Sequence, residues 1–542
     1  MLREPMRALR LRFRQKPSQR VQPRPTGVAV LGLDSQTRLG MTRRERSLLL
    51  QKAESVKMAN HDSKEASLSA SGTQEGTDRE WENRARKRNV AFYYGYVGTD
   101  YQGNMINEDT AQGRTLEYVV FKAIRDMGGV LPTNFPDPKK VRLSRASRTD
   151  KGVHALSNVL SLKLECPRNY WIDNKCGSNL VDSVNAQLPK EVRVFSATPV
   201  TKGFAPRAFC NARTYDFYIP AKVLGIEEDE SGSVGQRLSE FNETVLPLFC
   251  GFRPYHNFTV KRLYTKKHRE KLKTKLEEKH AKMRMDRNAE REGTPPSEAG
   301  GSEGQALEEG GHGSNEMKEG DEREVEVEVV KFCHDLRWFR TFNSKTKLDR
   351  AHYRTIHSVS CDRDLVDLGG NGKFQERALR VTISGESFMY HQIRHMVGLV
   401  VACFRGFVPP EFISAVLSAP ANVQLPFAPA HTLVLRDLAF LPFARQDFFN
   451  RDENDRLVMT PRGQALRETF EFEEMRPALS KFLTHEDWDA FERELAVWAE
   501  GLPGEAVRKF LETHAEWSAD LERRKRERGE SDKEEKFEKR KK

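Results

Sequence analysis

Apolar positions alternate or recur at helical spacing in two stretches of the chain, with long polar sequence around and between them. Residues 90–97, "VAFYYGYV", are aromatic and β-branched and stop at Gly98, which predicts a strand. In "RTLEYVVFKAIRDMGG", Leu116, Val119, Val120 and Ile124 share one helical face and the run ends on a glycine pair, which predicts a helix. Val159, Leu160, Leu162 and Leu164 predict a second strand. A short helix in "NLVDSVNAQLP", ended by Pro189, and strands in "EVRVFSATPV" and "RTYDFYIP" follow. The second stretch predicts strands in "VEVEVV", "YRTIHSVSCD" and "RALRVTISGES". A helix is predicted over "FMYHQIRHMVGLVVACFRG". Phe388, Ile393, Val397, Val400 and Val401 face its core side, with Arg394 and His395 on or beside that face. "LPFAPAHTLVLRDLAF" predicts a loop and a last strand, and amphipathic helices follow residue 445. Mixed strands and helices with hairpin-like neighbours favour an α+β fold over a doubly wound parallel sheet.

These elements divide the chain. Residues 1–86 read as a disordered basic and polar extension, 87–222 as an N-terminal half and 223–260 as a connecting segment. Residues 261–324 read as a charged, low-complexity insertion, basic and then acidic and glycine-rich. Residues 325–445 form a C-terminal half, 446–525 a set of helices and 526–542 a charged tail. The two halves have loosely similar strand and helix content, as a pseudo-symmetric pair would.

Composition narrows the class. Only 37% of the 542 residues are hydrophobic and 31% are charged, too polar for one continuous globule. The net charge of +11 suits an anionic partner, with nucleic acid the default and an anionic membrane surface the rival. The apolar run at 396–404 is about half the length a bilayer span needs, so no membrane is expected. The seven cysteines are scattered and none forms a C-x-x-C pair, which argues for a reducing compartment and against a disulfide framework or zinc site. Seven arginines, one lysine and one acid in the first 33 residues fit an organelle transit peptide or a basic tail, and the charged C-terminus fits a nuclear signal or a solvated end.

The candidate chemistry centres on "RTDKGVHA" at 148–155, where Asp150 lies between Arg148 and Lys151 just before a strand. Neighbouring cations favour the ionised carboxylate, which makes a poor proton donor and a good nucleophile. An ordinary charged turn explains the same string. His154, four residues on, suggests a metal pair or a dyad, but no third ligand has suitable spacing and Gly152 argues against a helix; no metal is expected.

The string resembles the active-site motif of the TruA family of tRNA pseudouridine synthases. "YVGTDYQG", "VNAQLPKEVRV", "FAPRAFCNARTYDFYI", "SFMYHQIRHMVG" and "APAHTLVL" resemble further family segments in the right order, and "YHNFT" is similar to the eukaryotic branch. The resemblance covers about 88–260 and 325–442. "GNMIN" lacks the Gln-Arg that many relatives place there, which puts an RNA contact at that point in doubt.

The resemblance implies an α+β fold of two ferredoxin-like sheet-and-helix halves, joined into an extended, mainly antiparallel sheet with a central basic cleft. It implies isomerisation of uridine to pseudouridine in RNA, foremost tRNA, without a cofactor. The first step stays open between attack at C1′, attack at C6 and a glycal path. Asp150 matches the nucleophile. Arg394 matches a basic residue that pairs with it and keeps its pKa low. Tyr215 matches the tyrosine against the flipped base, Arg148 the residue that helps open the stack, and Leu435 an apolar wall. Arg145 and Lys151 are expected at phosphate, and His154 and His391 at substrate. A monomer in nucleus and/or mitochondrion is expected. An inactive RNA-binding protein on the same fold and a basic scaffold that binds through disordered segments are the rivals.

Overall fold

The structure, a computed structural model, describes residues 86–106, 113–166, 177–227, 231–260, 328–342, 346–370, 372–442 and 456–541. The expected N-terminal extension (but for Arg86) and charged insertion, and three of the six residues of "VEVEVV", lie outside the described residues. Thirteen strands are described: β1 Arg86–Tyr96, β2 Ser144–Arg145, β3 His154–Cys166, β4 Val192–Val200, β5 Cys210–Pro220, β6 Gly251–Pro254, β7 Val329–Lys331, β8 Leu336–Phe339, β9 Tyr353–Cys361, β10 Val366–Asp367, β11 Arg377–Gly385, β12 Ala421–Val423 and β13 Leu433–Phe440. The helices, in chain order, are α1 Leu116–Asp126, α2 Ser178–Asn185, α3 Pro206–Phe209, α4 Ser231–Thr244, α5 Gln392–Phe404, α6 Glu411–Val416, α7 Pro461–Phe470, α8 Arg476–Leu483, α9 Glu486–Glu500 and α10 Gly504–Lys541.

One large sheet runs β4-β1-β3-β13-β5-β11-β9-β6, with β2 added beside β3 and β10 beside β11. Its pairings are antiparallel except β3 with β13, where Val434 faces His154 and Leu435 faces Ala155. Strand β13, near the end of the second stretch, is therefore inserted between β3 and β5 of the first. This crossing brings residues distant in sequence onto neighbouring strands. Leu435 stands opposite Tyr215, and Ile383 stands opposite Tyr215 on its other side. The fold is mixed α+β.

Strand β1 is buried on both faces, which explains its unbroken aromatic run. Tyr93 donates to Leu457 O on one side, and Tyr94 donates to Asn104 on the other. The residues after 455 cover the first of these faces, with Phe470 of α7 packed edge-on against Phe195 of β4. A small sheet, β12-β8-β7, presents Trp338 to Phe510 of α10.

Two elements differ from the sequence reading. The helix expected from Phe388 begins only at Gln392, because His391 adopts φ +66, a left-handed conformation that cannot continue a helix upstream. Phe388 and His391 thus belong to a loop. At the other end, α10 continues past Lys525 through the expected tail to Lys541. That segment is rich in good helix formers, and Arg524–Asp520 and Arg523–Glu527 pair at helical spacing.

Candidate active site

A cavity of about 540 Å³ opens between the loop that joins β2 to β3 and the turn that leads from β11 into α5. Six arginines line it and one carboxylic acid, Asp150, so its wall suits an anion.

The Asp150 loop is held by a dense polar network. Asn104 donates its side-chain amide to Ser147 O (3.2 Å) and its backbone N–H to Thr149 O (3.2 Å). Asn158 donates to Ser147 O (3.2 Å), and the Thr149 hydroxyl bonds the Tyr96 hydroxyl (2.8 Å). Gly98 is required by close approach: a β-carbon there would lie 2.1 Å from Val153 O. The "YVGTDYQGN" segment therefore fixes the loop from within the protein, and Asn104 is fully buried. The sequence reading did not foresee this scaffold role.

Asp150 lines the cavity, and among the described residues its carboxylate accepts no hydrogen bond and forms no ion pair. Burial raises its pKa and the nearby Arg394 guanidinium lowers it; burial wins, so the group lies above its ordinary value. This corrects the expectation of a low pKa. The adjacent cations in sequence do not supply it, since Arg148 and Lys151 are both exposed.

Arg394 does come to Asp150 from the second half, and both line the cavity. Its Nε donates to Ala428 O (2.5 Å), and its guanidinium lies 3.6 Å from the Phe427 ring centroid. Burial lowers its pKa to about 10, with Asp150 opposing. It remains a cation at neutral pH.

Tyr215 is buried at the cavity floor, its hydroxyl 3.1 Å from the Ser147 hydroxyl and its ring edge-on to Phe388 at 5.3 Å. Burial raises its pKa. Arg148 lines the cavity, exposed, with no hydrogen bond or ion pair among the described residues.

Other expected residues are placed differently. Leu435 is fully buried, and it is Leu433, two residues earlier on β13, that reaches the cavity. Arg145 lines the cavity but pairs with the buried Glu117, so its charge is already answered. Burial raises Glu117 to about 7 against the pull of Arg145. Lys151 lies on a neighbouring cavity and not on this one.

His154 cannot meet substrate. It is fully buried, its Nδ1 accepts the Gly98 N–H (3.1 Å) and its Nε2–H donates to His431 O (2.7 Å). Burial lowers its pKa to about 4, which keeps it neutral. Strand β3 starts at His154 and not near Val159, so the residue is a strand position inside the sheet. His391 lines the cavity, stacked on Tyr390 at 3.6 Å, and burial lowers it to about 4.

Sequence reasoning missed two arginines. Arg213 is buried and donates to Ala146 O (3.0 Å), to Cys210 O and to Glu386 O, so it ties the Asp150 loop to the turn before α5. Its only signal was its place two residues before Tyr215. Arg207 is exposed at the cavity wall, and after partial burial its positive charge is the next cause that lowers the pKa of Arg148. It stood in the quoted "FAPRAF" without a role.

Residues 334–440 match the sequence model of a family described as tRNA pseudouridine synthase. The match takes in Arg394 and Leu435 but not Asp150 or Tyr215. The chain is 28% identical over 373 residues to tRNA pseudouridine synthase 1 of Yarrowia lipolytica, covering 65% of this chain and 64% of that protein. It is 28% identical over 376 residues to tRNA pseudouridine synthase 1 of Saccharomyces cerevisiae, covering 66% and 62%. With the pseudouridylate synthase 1 homolog of Mus musculus it shares 24% over 369 residues, covering 67% and 64%. Each of these matches spans less than two thirds of the relative.

Proposed function

We propose that the chain is a member of the TruA family of tRNA pseudouridine synthases and that it isomerises uridines in RNA, with tRNA as substrate, to pseudouridine. The observation that carries this reading is Asp150: the one carboxylate in a cavity lined by six arginines and Tyr215, with no hydrogen bond to it among the described residues.

The chemistry asks for each of these features. A uridine stacked in a helix hides its ring, so the base must leave the stack and enter a pocket. Arg148 at the cavity wall, without a hydrogen bond or ion pair among the described residues, is placed to enter the space the base vacates. The Asp150 carboxylate then acts as nucleophile with its lone pairs uncommitted. Arg394 lowers its pKa against the pull of burial and orients it by charge. Tyr215 offers a ring to pack on the base. The N1–C1′ bond breaks, the uracil turns, a C5–C1′ bond forms, and the C5 proton is lost as N1 gains one. Atoms and electrons balance within the nucleoside, so no cofactor is called for.

Several finer points belong to the same proposal. The arginine wall extends as a basic cleft between two ferredoxin-like halves, 87–222 and 325–445. The remaining divisions stand as proposed: connecting segment 223–260, insertion 261–324, C-terminal helices 446–525 and tail 526–542. The protein acts as a monomer in nucleus and/or mitochondrion. Among the described residues no helix is long and apolar enough to cross a membrane.

The test is incubation with tRNA transcripts and chemical mapping of pseudouridine, beside Asp150→Ala. Wild type is expected to give product, and the variant to bind RNA and give none. Equal product from both would remove Asp150 from the chemistry. RNA binding without product from wild type would leave an inactive RNA-binding protein. A salt series should show affinity falling steeply as phosphate contacts weaken.

A further inference from the structure

A second cavity of about 510 Å³ lies beside the first and shares Asp150, Tyr390, His391 and Arg394 with it. Its outer wall is α9, through Asp487, Phe491 and Glu494. This helix lies beyond residues 334–440, where the family match ends.

A chain of contacts runs from α9 to the catalytic turn. His485 caps the helix, its Nδ1 accepting the Asp487 N–H at 3.2 Å, which fixes Asp487 in the first turn. The Asp487 carboxylate lies 3.0 Å from His431 Nε2. The His431 ring lies nearly flat on Phe482, centroids 4.9 Å apart and planes at 17°. Its other nitrogen rests on the catalytic turn: a β-carbon at Gly152 would lie 2.9 Å from His431 Nδ1. Gly152 has φ +81 and follows Asp150 by two residues. The backbone of the same histidine accepts the His154 Nε2–H at 2.7 Å. One imidazole is thus wedged between a C-terminal helix and the turn that presents the nucleophile.

We propose that Asp487 and His431 are positioning residues, and that α9 sets the orientation of Asp150 through them. Asp487 accepts the His431 Nε2–H and holds the ring upright. The ring in turn sets how far the Gly152 turn can swing and where the Asp150 carboxylate points into the cavity. The inference rests on the proposed function. The helix has other anchors: Arg405 pairs with Glu492 (3.1 Å), and Trp498 donates to Gln424 O (2.8 Å). Loss of the Asp487 carboxylate therefore leaves α9 docked.

The experiment measures single-turnover pseudouridine formation at saturating tRNA transcript, RNA affinity and melting temperature for wild type, Asp487→Ala, Asp487→Asn and Glu492→Ala. Asp487→Ala is expected to slow conversion about tenfold, with affinity within about twofold and the melting temperature unchanged, since small displacements of a reacting group are costly. Asp487→Asn keeps an acceptor oxygen and should recover most of the rate. Glu492→Ala, which loosens the same helix away from the site, should match wild type. The inference falls if Asp487→Ala converts at the wild-type rate, or if its loss lies wholly in affinity. It also falls if Asn is no better than Ala, or if Glu492→Ala loses as much. No product from wild type would instead fell the proposed function, and this inference with it.

Discussion

Asp150 and Asp216 are both carboxylates that burial pushes above their ordinary range, and they face opposite sides of one sheet region. Asp216 follows Tyr215 on β5, so its side chain points away from the face that holds the cavity. It accepts the Thr382 hydroxyl at 2.7 Å and pairs with Arg436 at 3.3 Å. Among the described residues Asp150 has the field of Arg394 and an open cavity, and no hydrogen bond to its carboxylate. A raised pKa alone does not separate a structural acid from a catalytic one. The partners do. Asp216 spends its lone pairs on the sheet, and Asp150 keeps its own available.

The largest effect should come from truncating each acid. Asp150→Ala is expected to lower pseudouridine formation by at least about 1,000-fold, as removal of a nucleophile does, with little loss of stability. Asp216→Ala is expected to keep activity within about tenfold and to cost roughly 1–3 kcal/mol of stability, because it leaves the part-buried Thr382 hydroxyl and the Arg436 guanidinium without this acceptor. Denaturant midpoints and single-turnover rates on tRNA transcript check both. If Asp216→Ala lost as much activity as Asp150→Ala, the comparison would collapse.

Arg394 is the next step down. Arg394→Met keeps an apolar stem over Phe427 and removes the charge. A loss of about 100-fold in rate is expected, in the range for deleting one preorganised electrostatic partner. The pH dependence has a definite sign. In its proposed role Asp150 must be ionised to attack, and its pKa already lies above the ordinary aspartate value. The acid limb of the wild-type pH–rate profile should therefore lie above that value. Arg394 is the group that lowers this pKa, so its loss should move the limb to higher pH. A limb that stays put would mean Arg394 acts elsewhere.

How much of this could be read from the chain depended on range. Strands β1, β9 and β11 were legible because runs rich in aromatic and β-branched residues are local signals, reinforced at β1 and β11 by a glycine at the end. The insertion of β13 between β3 and β5 was not, since nothing local to 433–440 names its partners. At the site, motif likeness singled out Asp150, Tyr215 and Arg394, and the three line one cavity. Sequence adjacency misled where it was used as a proxy for distance. Lys151 and Arg148 follow and precede Asp150 within two residues, yet both are exposed and neither is among the causes of its pKa shift. His154 looked reactive because it followed the motif, whereas pairing of β3 with β13 buries it. Burial is a property of the whole fold, and it decided the sign at Asp150, His154 and His391 alike.

The smallest effect tests the structural half of the comparison. Thr382→Val swaps the hydroxyl that donates to Asp216 for a methyl of similar shape, and Arg436 remains. The expected cost is about 1 kcal/mol, one part-buried hydrogen bond to a carboxylate with a second partner still in place. The Thr382 bond lowers the Asp216 pKa, so the valine variant should raise it further. With a folded pKa raised above the unfolded one, the stability that Asp216 lends is fullest at low pH and declines as pH rises through the folded value. The Thr382→Val penalty should thus be largest at pH 7 and shrink toward pH 4, measured as denaturant midpoints. Activity should not move, because Thr382 lies on the strand face away from Tyr215 and the cavity. A drop in rate without a drop in stability would show that the two faces communicate through β5, and that the satisfied acid also helps place the free one.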